Sequence, residues 1–202
     1  MDIVAHGLWT FVAVYVLSLW KPTANYFDTT KKKLAAVVAA SAIDLLFIPQ
    51  LFYFVTHFSG RNFPGAAPQF PQWMLTWYYI NHNYFFIVLV AIIIYFTRLK
   101  PYVSQITFAL LMHITIDIFT HKGFFELRPF WPIQQTSFSG LVSWGEPTFF
   151  RWTWTLLLIS LALVFFYIRY AKRRVRTDKF KKEQDRSKSS TVAKKTKKTG
   201  KK

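Results

Sequence analysis

The stretch HITIDIFTH, residues 113–121, spaces His113, Asp117 and His121 four residues apart inside a strongly apolar segment. On an α-helix, positions i, i+4 and i+8 drift by only about 80°, so the three side chains share one face and offer a column of ligand atoms. Two metal-binding histidines at i and i+4 are the working geometry of HExxH sites, and the same spacing serves His with Asp. The chain adds Asp44 in ASAIDLLFIPQLF, His82 in YYINHNYFF and His6 near the N-terminus. Asp44 and Asp117 are the only two of nine acidic residues that fall within long apolar stretches, and no lysine or arginine accompanies them there. Charges at such depth cost at least about 2.5–3.5 kcal/mol each on insertion scales and normally face a partner. A bound metal ion supplies the missing cation. Since the chain contains no cysteine, any metal must be held by His, Asp or Glu.

The elements that position these groups are membrane helices. The chain has 202 residues, 52% of them hydrophobic and 20% aromatic, a composition that soluble domains of this size seldom show. Five apolar stretches, near 3–20, 34–57, 74–97, 102–120 and 150–170, approach the roughly 20 residues that cross a hydrocarbon core. In lipid they must be helical, because nothing there satisfies free backbone N–H and C=O groups. The expected fold class is therefore all-α: a polytopic bundle of about five transmembrane helices over residues 1–171, with a basic, disordered tail over 172–202. The first stretch is the shortest, and a half-inserted interfacial helix is its alternative. No cleavable signal is visible in it.

Short loops rich in Lys and Arg mark the cytoplasmic side. Lys21 and Lys31 to Lys33, then Arg98 and Lys100, then Arg169 onward all fall on one side of five spans. The N-terminus is thus expected outside and the C-terminus in the cytoplasm. With about 1.5 Å per residue, His6, Asp117 and His121 then lie near the outer boundary. His82 and His113 lie about 10–13 Å below it, and Asp44 lies nearer mid-membrane. The tail holds fifteen basic and three acidic residues, +12 of the formal +17. Its readings are attraction to anionic inner-leaflet lipids or a solvated end that enforces topology, with nucleic acid well behind because no RNA-binding pattern accompanies the charge.

Ordinary roles compete at each position. His6 fits either a ligand or an interfacial histidine at a helix start, and His57 a membrane boundary. His121 fits a helix C-terminal cap as well as a ligand. Asp44 and Asp117 also fit proton carriers in a transport pathway. Glu126 and Glu146, in the loop 121–149, are expected in solvent unless that loop folds over the site.

The order of these features resembles a family of bacterial and archaeal membrane proteins described as metal-dependent hydrolases, one branch of which is LexA-regulated in enterobacteria. The matching residues are His6, Asp44, His82 where the family often has THSL, and HITIDIFTH followed by RPFWPI and SGLVSWG, over residues 1 to about 160. The chain departs from the family at Ile43, where Pro is common, and at Asn83 and Tyr84, where Ser-Leu is common. More distantly, the pattern is similar to zinc-dependent phospholipase C. The resemblance implies an inner-membrane, all-helical phosphoesterase binding one or more Zn²⁺ through Asp44, His82, His113 and Asp117, with His6 and His121 as further ligands. A zinc-bound water has a pKa near ~7, and an unligated carboxylate, Asp44 or Asp117, would accept its proton. Tyr78, Tyr79, Asn81 and Asn83 are candidates to orient His82. The aromatic loop 121–149 would act as an interfacial lid, Lys122 and Arg128 would meet a phosphate, and the substrate would be amphipathic. The rivals are a proton- or metal-coupled transporter, disfavoured by the absence of a visible repeat or broken-helix pair, and a non-catalytic protein with a structural metal or polar site.

Overall fold

The computed structural model describes residues 3–46, 52, 71–123, 126–171 and 173. Most of the second half of the expected 34–57 span, His57, residues 58–70 and nearly all of the basic tail lie outside the described residues.

The described regular elements are helical, with one isolated bridge between Leu127 and Phe138. They are α1 (Ile3–Leu19), α2 (Thr30–Leu45), α3 (Gln72–Asn81), α4 (Tyr84–Tyr95), α5 (Val103–Thr120) and α6 (Pro147–Ala171). Short 3₁₀ turns at Ala24–Phe27 and Lys100–Tyr102 lead into α2 and α5. Two compact units divide the chain, Met1–Leu158 and Ile159–Lys202, and every site residue belongs to the first. In the second, residues 159–171 are helical.

Among the described residues, two helical stretches, Lys100–Thr120 and Pro147–Ala171, are long and apolar enough to cross a membrane, or three if the bent pair α3–α4 counts as one span, while α1 with 17 residues is shorter. The span expected at 74–97 is not one rod. It is α3 and α4, bent by 60° at the break around His82 and Asn83, so the broken-helix pair missing from the sequence reading is present. The cause is local hydrogen bonding. Asn83 takes an extended backbone (φ −134°, ψ 161°), and its Oδ1 accepts the Phe86 N–H at 2.8 Å as the N-cap of α4. Its Nδ2 donates to the carbonyls of Tyr79 and Ile80 at 2.6 and 2.8 Å. One side chain thus closes both helix ends. The Tyr84 N–H is taken by Pro129 O at 2.9 Å, which satisfies a donor that the break would otherwise leave unpaired.

The centre of the bundle is the α1–α2–α5 contact, made close by small residues. Ala36, Ala39 and Ala40 of α2 and Ala109 of α5 are buried. Gly7 of α1 lies so near α2 that a Cβ built there would stand 2.5 Å from Ser41 Oγ. Small side chains at these positions are what let the helix backbones approach so closely. The opposite faces are apolar and outward: Val88, Leu89, Ile92 and Ile93 of α4 are all more than half exposed. A contiguous surface of this kind suits acyl chains rather than water.

Candidate metal centre

Three helices supply the heart of the site. His6 comes from the first turns of α1, Asp44 from the last turn of α2, and His113 and Asp117 from successive turns of α5. One ligand atom from each lies within 4.8 Å of the others. His113 Nε2 stands 3.0 Å from Asp117 Oδ2 and 3.5 Å from Asp44 Oδ1, and His6 Nε2 stands 3.0 Å from Asp117 Oδ1 and 4.0 Å from Asp44 Oδ2. Donors bound tetrahedrally at about 2.0–2.2 Å stand roughly 3.3–3.5 Å apart, so these separations suit one shared cation.

Hydrogen bonding prepares the ring nitrogens for that role. A carbonyl can only accept, so His113 Nδ1 carries the proton it gives to Ala40 O at 2.7 Å, and in the neutral ring Nε2 is then the lone pair facing the carboxylates. His82 does the same through Nδ1 to Tyr78 O at 3.2 Å. His6 Nε2, His113 Nε2 and Asp44 Oδ2 are buried without a hydrogen bond among the described residues. The rings of His6 and His113 stack at 3.9 Å and 21°, an arrangement that two imidazolium cations would oppose. Lone pairs facing carboxylate oxygens repel unless a proton or a metal ion lies between them. The group can therefore hold a metal ion, and the chemistry of its donors fits one.

The two remaining expected ligands stand beside this group. His82 Nε2 is 3.8 Å from Asp44 Oδ1 and 4.0 Å from Asp117 Oδ2, carried there by the break between α3 and α4. His121 follows α5 as its C-cap residue, and its Nδ1 approaches Asp117 O at 3.1 Å and Asp117 Oδ1 at 3.2 Å. It therefore steadies Asp117 through Nδ1. Asp117 is shut away, its side chain 1% exposed, whereas that of Asp44 is 16% exposed and forms the accessible edge.

The loop after α5 clamps the site. The N–H groups of Gly140, Leu141 and Trp144 donate to the carbonyls of His121, Phe119 and Thr120 at 2.7–2.9 Å, satisfying the free end of the helix. A Cβ on Gly140 would meet His121 O at 2.7 Å, so this approach requires glycine. Lys122 and Glu146 are exposed. Glu126 accepts from Ser137 Oγ at 2.9 Å and from the Gly123 N–H at 3.3 Å. Arg128 lies over the Tyr79 ring at 4.5 Å and bonds Gln135.

Sequence reasoning passed over Ala40, Gly7, Pro129 and Gly140, which set the site's geometry through backbone atoms or through having no side chain. The run AAVVAASAID did carry a signal for close packing next to Asp44. No protein-family model, curated protein or solved structure matches the chain. The functional reading therefore starts from the site.

Proposed function

We propose that the chain is a membrane-embedded metal-dependent hydrolase that cleaves a phosphoester in an amphipathic, lipid-like substrate. The reading is carried by one observation: a buried group of two imidazoles and two carboxylates meets from three helices within an apolar bundle. Such a donor set suits Zn²⁺, and by charge a divalent ion exactly balances the two carboxylates. When bound, the ion supplies a Lewis acid and a water acidic enough to be hydroxide at neutral pH.

The chain's own groups divide the remaining work. Asp117, deep and braced by His6, His113 and His121, holds its position. Asp44, at the accessible edge, would give up its place on the ion to the attacking water and take that water's proton as the water's oxygen bonds to phosphorus. His82, 3.8 Å from Asp44 Oδ1, passes that proton to the departing ester oxygen as the old P–O bond breaks. The apolar surroundings exclude bulk water. The same reading puts the N-terminus outside and the basic tail against anionic lipids in the cytoplasm of a prokaryotic cell.

Purified protein should turn over bis-p-nitrophenyl phosphate in a chelator-sensitive way, and Asp44→Asn should lower kcat by about 10²–10⁴-fold, the usual worth of a general base. Absence of turnover with metal bound stoichiometrically would rule the hydrolase out. A transporter is the second reading, favoured by the 60° break beside the site, since interrupted helices build transporter binding sites. Metal-dependent ion flux in liposomes without phosphoester turnover would establish it.

A further inference from the structure

Each of the two carboxylates at the centre turns one oxygen to each imidazole. Asp117 Oδ2 stands 3.0 Å from His113 Nε2, while its Oδ1 stands 3.0 Å from His6 Nε2. Asp44 repeats the division less tightly, with Oδ1 3.5 Å from His113 Nε2 and Oδ2 4.0 Å from His6 Nε2. The group therefore has two halves, each made of one imidazole nitrogen and one oxygen from each carboxylate.

The rings follow the same division. A neutral imidazole offers its lone pair in the plane of the ring. His6 and His113 stack 21° from parallel with their centroids 3.9 Å apart, so lone pairs on their Nε2 atoms run side by side. Positions about 2.0–2.1 Å out along each then lie about one ring spacing apart, which matches the roughly 3.5–4 Å between the ions of two-metal sites. An ion drawn toward His113 leaves His6 Nε2 facing Asp117 Oδ1 at 3.0 Å. That nitrogen belongs to a side chain 1% exposed and has no hydrogen bond among the described residues. Asp44 Oδ2, in the same half, has none either.

We infer that the centre takes a second divalent ion, bound by His6 Nε2, Asp117 Oδ1 and Asp44 Oδ2, with both aspartates bridging it to the ion on His113. This deepens the proposed function and rests on its metal centre, not on its hydrolytic chemistry. The two halves differ in strength. On the His113 side, Nδ1 donates to Ala40 O at 2.7 Å and fixes the ring. His6 Nδ1 has no such bond among the described residues, and a missing orienting partner costs about 10–100-fold in affinity. Charge acts in the same direction. One divalent ion neutralises the two carboxylates, and the second adds a surplus of positive charge for an anionic phosphate to meet. The second ion is thus the weaker and more exchangeable of the pair.

The test uses full-length protein in detergent, stripped with chelator, titrated with Mn²⁺ and followed by electron paramagnetic resonance. The first equivalent should give the hyperfine-split spectrum of an isolated ion. The second, weaker by about 10–100-fold, should replace it with the spectrum of a spin-coupled pair. His6→Ala should keep the first ion and abolish the coupled signal. His6→Phe should do the same while retaining a ring against His113. Binding of the first ion shows that each variant has folded, and if neither folds the wild-type spectrum decides alone. Saturation at one ion overturns the inference and leaves a single-ion centre in place. A second ion magnetically isolated from the first also overturns it. No bound Mn²⁺ at all defeats the metal reading together with the second ion. A coupled pair in protein that turns over no phosphoester supports the inference and defeats the hydrolase reading.

Discussion

His113 shows how one residue serves the centre through two different atoms. Nδ1 is committed to Ala40 O, and that bond fixes the ring so that Nε2 faces Asp44 and Asp117. His113→Ala should therefore lower metal affinity by more than the ~10–100-fold typical of losing an outer orienting partner, read by competition with a chromogenic chelator. Gly7 acts by omission. In Gly7→Ala the new Cβ would meet Ser41 Oγ, and turning that hydroxyl aside breaks its bond to Ile3 O. The expected cost is about 0.5–1.5 kcal/mol, seen as a lower melting temperature in detergent. Ser41→Ala in the same background should remove the additional penalty, since no hydroxyl is left to collide. The pairing of His113 with Asp117 was legible because helical spacing alone puts them on one face. The stacking of His6 on His113 was not, because it depends on how α1 packs against α5.

At the scale of elements, the break between α3 and α4 turns an apolar run into a site. A straight helix through 74–97 was the natural reading, since the run contains no proline and its only polar interruption is Asn81-His82-Asn83. What the run did not reveal is that Asn83 caps one helix while binding the carbonyls of the other. Asn83→Ala should cost about 0.5–2 kcal/mol, as lost N-caps do, and should lower turnover by displacing His82 from Asp44. Asn83→Asp should keep the cap to the Phe86 N–H but lose the donors to Tyr79 and Ile80, giving an intermediate effect. The clamp loop has its own pH dependence. Hydrogen bonds from Ser139 and Ser137 hold the Glu126 carboxyl below its ordinary range. Because the folded pKa is the lower one, this contribution is present above the unfolded carboxyl's pKa and is lost as pH falls through the folded value. Protection of the Gly123 N–H, measured against its intrinsic exchange rate at each pH, should fall across that acidic window, and Glu126→Gln should remove that change.

For the whole molecule, the apolar composition and the isolated acids and imidazoles were enough to anticipate helices converging on a group that could hold a cation. The apolar stretches had to bury their few polar groups together, and the bundle around α1, α2 and α5 does so. How many spans the chain makes was less legible, because span length separates a crossing helix from a shorter apolar one only coarsely. α1 falls on that line at 17 residues. An ion bound by residues distant in sequence also links the stability of the bundle to metal concentration. Free metal at 100 times its dissociation constant should add about 2.7 kcal/mol, and chelation should lower the melting temperature accordingly. The most direct test is elemental analysis of detergent-purified wild type beside His113→Ala and Asp117→Ala. The predicted result is a stoichiometric divalent metal in the wild type and its loss from both variants. Near-zero metal in all three, or the same metal content in all three, would contradict a shared cation at His6, Asp44, His113 and Asp117.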